Sequence, residues 1–118
     1  MIADLELVKR AQTGEKQAFS MLVERHQKTM MRVALRVTKD LERAEDVVQE
    51  SFIKAYEKLT AFEGRSSFKS WMYQITVNTA KNKIRKTRRE IYDLDVSTLS
   101  SPAQSEQRLA YQDLQLFV

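Results

Sequence analysis

Glycine and proline are almost missing from this chain. Gly14, Gly64 and Pro102 are the only three among 118 residues. These residues punctuate turns, and strand-rich architectures need such punctuation every few residues. Their scarcity predicts long helices, and apolar spacing agrees. A first helix over about 3–13 places Leu5, Val8 and Ala11 in register and stops at Gly14. A second, from Lys16 to about Thr38, carries Phe19, Leu22, Val23, Met30, Val33, Ala34 and Val37 at steps of three and four, interrupted by one turn around His26. Asp40 is placed to cap a third helix over about 41–60, where Ala44, Val48, Phe52, Ala55 and Leu59 form one buried face. A fourth begins after Ser66 or Ser67, aligns Phe68, Trp71, Met72, Ile75 and Ile84, and loses its basic, periodic character at Arg89. The predicted fold is all-α: a compact antiparallel bundle of three long helices plus a short N-terminal helix.

Charge divides the chain. Residues 1–89 hold 19 Lys and Arg against 11 Asp and Glu, a net of +8, whereas residues 90–118 hold one Arg against five acids, a net of −4. The expected organisation is one domain over 1–90, an acidic polar linker over 91–104, and a short helix over 105–118. The chain ends on Leu116, Phe117 and Val118, so that last helix is expected to be the stump of a second domain removed by truncation.

Several function classes are not expected. Without cysteine there are no disulfides, thiolate metal sites or thiol nucleophiles, which fits a cytoplasmic protein. No apolar run approaches the roughly 18 residues of a membrane span, and the first residues lack the layout of a secretion signal. His26, the only histidine, has no second ligand or paired nucleophile nearby in sequence and reads as structural. No phosphate-cradling glycine motif or metal cluster is present, so neither enzyme activity nor a cofactor or metal is expected.

Two surfaces carry the functional signal. From Arg65 to Arg89 there are eight cations and no Asp or Glu, on a segment that also holds Phe68, Trp71 and Tyr73. One-sided charge with interleaved aromatics points to nucleic acid. Trp71 lies on the apolar stripe and is assigned to the core, whereas Tyr73 lies off it and is the better stacking group. Asn78, Lys81, Asn82 and Arg85 share a helix side, where Asn can read a base edge and Lys and Arg neutralise phosphates. The loop Phe62, Glu63, Gly64, Arg65, Ser66 and Ser67 must turn the chain and cap the fourth helix. Its aromatic, charge pair and hydroxyls could also hold an extruded base, with Phe62 as apolar wall. On the third helix, Asp46, Gln49, Glu50 and Ile53 form an exposed ridge. Spacing alone favours a solvated face, with a dock for a basic protein as the alternative.

The run Asp46-Val47-Val48-Gln49-Glu50-Ser51-Phe52, then Phe62-x-Gly64, Ser70-Trp71 and Val77-Asn78-Thr79-Ala80, closely resembles region 2 of the extracytoplasmic-function (ECF) sigma factors, the sigma-E type especially. The resemblance covers roughly residues 4–90. It implies an alternative sigma factor that binds core RNA polymerase and recognises and melts the promoter −10 element. By position, Asp46, Gln49, Glu50 and Ile53 would face the clamp helices of the β′ subunit. The loop Phe62–Ser67 would hold a flipped base of the non-template strand, Asn78 would touch the same strand, and Lys81 and Arg85 would track its phosphates. An anti-sigma factor is an implied partner. The family's region 4, which reads the −35 element, has no counterpart in these residues. Two other readings stand beside this one: a single-strand-binding helical module without polymerase, and a pure interaction domain held by an anti-sigma-like inhibitor.

Overall fold

The computed structural model describes residues 1–98, with side chains as far as Leu94. Four helices follow in order: α1 (Asp4–Gln12), α2 (Lys16–Thr38), α3 (Leu41–Lys58) and α4 (Phe68–Thr98), with a 3₁₀ turn at Leu59–Ala61. Short connections force each helix to run back along its predecessor. Asp4 meets Arg25 and His26 across α1 and α2, and Lys83 lies by Asp46 and Glu50 across α3 and α4. The expected all-α antiparallel bundle is the observed one.

The turns show why the helices stop where they do. Gly14 takes a φ of +106°, a conformation that costs an L side chain steric strain. Between α2 and α3 the reversal takes two residues. Lys39 adopts the left-handed region at φ 56°, and Asp40, extended at φ −148°, accepts hydrogen bonds from the backbone N–H of Glu42 and Arg43. Asp40→Ala removes that cap and is expected to destabilise the domain by about 1 kcal/mol, read as a lower denaturation midpoint at unchanged m-value.

The core gathers one stripe from each helix: Leu7, Val8 and Ala11; Phe19, Leu22, Met30 and Ala34; Ala44, Val47, Val48, Phe52 and Ala55; and Phe68, Met72, Ala80 and Ile84. Three buried hydroxyls are satisfied within their own helices, Ser51 donating to the Val47 carbonyl, Thr76 to Met72 and Thr79 to Ile75, and that of Thr38 donates to the Asp40 carbonyl in the turn beyond α2. His26, 7% exposed, is structural as expected. Its Nε2 lies 2.7 Å from Asp4 Oδ2, and its ring packs 5.3 Å from that of Phe68. Arg25 donates to Asp4 Oδ1 at 2.8 Å, completing a clasp that ties the start of α1 to α2.

Two details differ from expectation. Leu7, not Leu5, fills the core, and Leu5 is 52% exposed. A three-turn helix carries too few apolar positions to fix its rotation from spacing alone. The fourth helix also continues past Arg89 to Thr98, because no glycine or proline interrupts residues 91–98 and backbone hydrogen bonding continues without an apolar stripe. The rest of the expected linker, 99–104, and the expected short helix, 105–118, lie outside the described residues.

Candidate nucleic-acid interface

The loop between α3 and α4 is anchored from beneath. The Gln12 side-chain amide donates to the carbonyls of Leu59 and Phe62 at 2.9 and 3.0 Å, so α1 holds the loop entrance. Phe62 is only 8% exposed. Its ring sits 4.8 Å from that of Trp71, which in turn lies 5.9 Å from Phe68. Phe62, expected as the apolar wall of a base-holding loop, is thus almost fully buried at the end of the core. As the one large apolar side chain of the loop, it gains most by closing the end of the core, and it shapes the loop from below.

The rest of the loop is exposed. Gly64 turns the chain at φ +77°, and Glu63 and Arg65 pair at 2.9 Å. Ser67 caps α4, its Oγ accepting from the backbone N–H of Ser70 at 3.1 Å. A Cβ placed on Gly64 would lie 3.7 Å from Leu5 Cδ1, so the exposed Leu5 stands beside this loop. Nothing in the spacing of α1 could have linked it there.

From the loop, one face of α4 descends through Trp71, Gln74, Asn78, Lys81 and Arg85, at steps of three and four, with Asn82 on its flank. Trp71 is half-buried, as the apolar stripe requires, yet it begins this outward face. Gln74, exposed between Trp71 and Asn78, belongs to this face too, though with neither charge nor ring it gives no signal in the sequence. Tyr73 is 49% exposed but lies five residues from Asn78, about 140° round a helix of 3.6 residues per turn. The structure therefore leaves Tyr73 on a different face, one turn below Lys69.

Beside the Asn78 face, α3 and α4 enclose a cleft of about 560 Å³. Asn78, Lys81, Asn82 and Arg85 of α4 border it, and so do Lys54, Glu57 and Lys58 of α3. Lys54 Nζ approaches Thr79 Oγ1 at 3.4 Å. The two α3 lysines are invisible to a reading of α4 alone.

Asp46, Gln49, Glu50 and Ile53 are all exposed and share one arc of α3. On one flank, Lys83 lies 4.0 Å from Asp46 and 3.9 Å from Glu50, and Lys54 lies 3.6 Å from Glu50. At these lengths and exposures each pair contributes under about 1 kcal/mol. On the other flank an apolar groove of about 1030 Å³ runs between α2 and α3, lined by Phe19, Val23, Met31, Phe52, Ile53 and Tyr56 among others. The ridge thus offers carboxylates beside apolar surface. Tyr56, one turn beyond Ile53, and Met31 across the groove extend it.

Among the described residues no group of three or more His, Asp or Glu is placed to hold a metal ion. No described helix is long and apolar enough to cross a membrane.

The model of the sigma-70 region 2 family matches residues 22–90. An ECF RNA polymerase sigma-E factor of Haemophilus influenzae is 49% identical over 83 residues, covering 69% of this chain and 42% of the relative. The chain spans half or less of the length of the curated relatives it matches. An engineered region 2 of sigmaE, solved by NMR in complex with GTAAAA, superposes with a TM-score of 0.69 at 42% identity, covering 75% of this chain and 93% of that one. CnrH, solved in complex with the cytosolic domain of CnrY, gives a TM-score of 0.63 at 25% identity, covering 92% of this chain and 62% of CnrH.

Proposed function

Because the chain belongs to the sigma-70 region 2 family, with an ECF sigma-E factor among its relatives, we propose that it is the region 2 of an alternative, ECF-type sigma factor. In this reading Asp46, Gln49, Glu50 and Ile53 dock on the β′ clamp helices of core RNA polymerase. The exposed loop Glu63–Ser67 takes a base of the −10 non-template strand, Asn78 and Asn82 contact that strand, and Lys81 and Arg85 follow its phosphates. The observation that carries it is the likeness to a sigmaE region 2 solved with a GTAAAA ligand, which this chain covers almost end to end. Phe62 acts here as the floor of the loop, and Tyr73, on its separate flank, reaches the strand only where that strand bends past Lys69.

The family is not a class of enzymes, and no catalytic step is assigned. The fold's likeness to CnrH, which was solved with a cytosolic protein domain, supports a protein partner of the anti-sigma kind and a cytoplasmic setting.

Extruding a base costs a few kcal/mol and least when the strand is already single. The chain should therefore bind a single-stranded GTAAAA-containing oligonucleotide more tightly than the same sequence as duplex, measured by fluorescence anisotropy. Asn78→Ala should narrow the preference among oligonucleotide sequences. Lys81→Ala or Arg85→Ala should weaken all of them alike and lower the salt slope by about 0.7 per lost phosphate contact. Equal or tighter duplex binding would rule the reading out, and failure to co-purify with core polymerase would leave only a strand-binding module.

A further inference from the structure

The cleft between α3 and α4 is lined by four cations, Lys54, Lys58, Lys81 and Arg85, against one carboxylate, Glu57. Like charges lining one concavity repel one another, and an anion between them reverses that repulsion. The lysines of α3 find no acid on the facing stretch of α4, because residues 65–89 contain none. Lys58 is exposed, and Lys54 approaches Glu50 at 3.6 Å on its own helix. Asn78 and Asn82 add amide donors and acceptors to the same walls.

The position of the cleft indicates which anion it takes. Asn78 lies eleven residues below the capping Ser67, about 16 Å along the axis at 1.5 Å per residue, and on the face that begins at Trp71 beside the loop. A polyanion leaving the loop along that face passes directly over the cleft. We propose that the cleft is a phosphate-holding subsite for the single strand whose base the loop takes. Lys54 and Lys58 close on the backbone from the side opposite Lys81 and Arg85. The inference rests on the reading of this domain as a single-strand binder and adds α3 to its binding surface. It also gives one helix two duties: Glu50 belongs to the docking ridge and sits against Lys54, so a basic partner that engages Glu50 leaves Lys54 free for a phosphate.

The test uses the 118-residue chain and a single-stranded GTAAAA-containing oligonucleotide titrated across a salt series. Lys54→Ala and Lys58→Ala should each weaken binding about two- to fivefold and lower the salt slope by about 0.7, alike for every sequence. Arg36→Ala, an exposed cation on α2 outside the cleft, should change neither. Glu50→Gln should tighten binding about twofold, and that gain should vanish when Lys54 is alanine. If Lys54→Ala and Lys58→Ala behave like Arg36→Ala while Lys81→Ala and Arg85→Ala still lose affinity, the subsite is overturned and single-strand binding stands. An equal gain from Glu50→Gln in both backgrounds would remove Lys54 from the cleft's function. If the unaltered chain binds no single strand, the subsite and the reading beneath it fall together.

Discussion

Phe62→Ala is expected to destabilise the domain by about 3–5 kcal/mol, the usual range for emptying a buried aromatic site. The ring is 8% exposed and packs on Trp71, and the residue's own carbonyl is held by Gln12. Collapse into the space would pull the loop entrance away from that amide, so the loss of packing and the loss of a hydrogen bond fall together. For a domain of this size each kcal/mol shifts the melting point by roughly 4–8 °C, so calorimetry should record a drop of roughly 12–40 °C. Phe52→Ala, at a site 7% exposed in α3 and away from the loop, should destabilise comparably. The two differ in function: where both variants remain folded, only Phe62→Ala should disturb discrimination among oligonucleotides. A shift of only a few degrees for Phe62→Ala would mean that the ring does not support the core.

The second large effect is expected at the ridge. Glu50→Lys should weaken binding to core RNA polymerase about 10- to 150-fold, equivalent to the 1.5–3 kcal/mol of a lost charge-assisted contact. Reversal also sets a third cation against Lys54 and Lys83, which now flank Glu50 at 3.6 and 3.9 Å. Gln49→Ala, which removes an amide without changing charge, should have a smaller effect in the same direction. Because both side chains are exposed, circular dichroism and melting should change little. Titration of core polymerase with unchanged affinity for Glu50→Lys would remove this ridge from the docking surface.

Much of this domain was legible in the order of its residues. The starts of α3 and α4 fell where capping placed them, because Asp40 and Ser67 cap helices within three residues of themselves, and α2 starts at Lys16 as expected though no side chain caps it. The run from Asp46 to Phe52 and the Val77–Ala80 segment identified a family that the match over residues 22–90 bears out. Less legible was the turn at Lys39, where a left-handed residue appears without the glycine or asparagine that would have signalled it. The continuation of α4 beyond Arg89 leaves no mark in the apolar pattern, because a helix needs no apolar stripe to persist where nothing breaks its backbone hydrogen bonds.

What the sequence alone determined is what acts over one or two turns: which segments are helical, where they are capped, and which stripe of each long helix is apolar. The tertiary structure decided what each side chain faces. It turned Phe62 inward onto Trp71 and left Leu5 outside, next to Gly64. It carried Lys54 and Lys58 across to the Asn78 face and set Lys83, on another side of α4, beside Asp46 and Glu50. Burial and electrostatic pairing here depend on atoms that meet from nine to about 60 residues away along the chain, and no local periodicity holds that information.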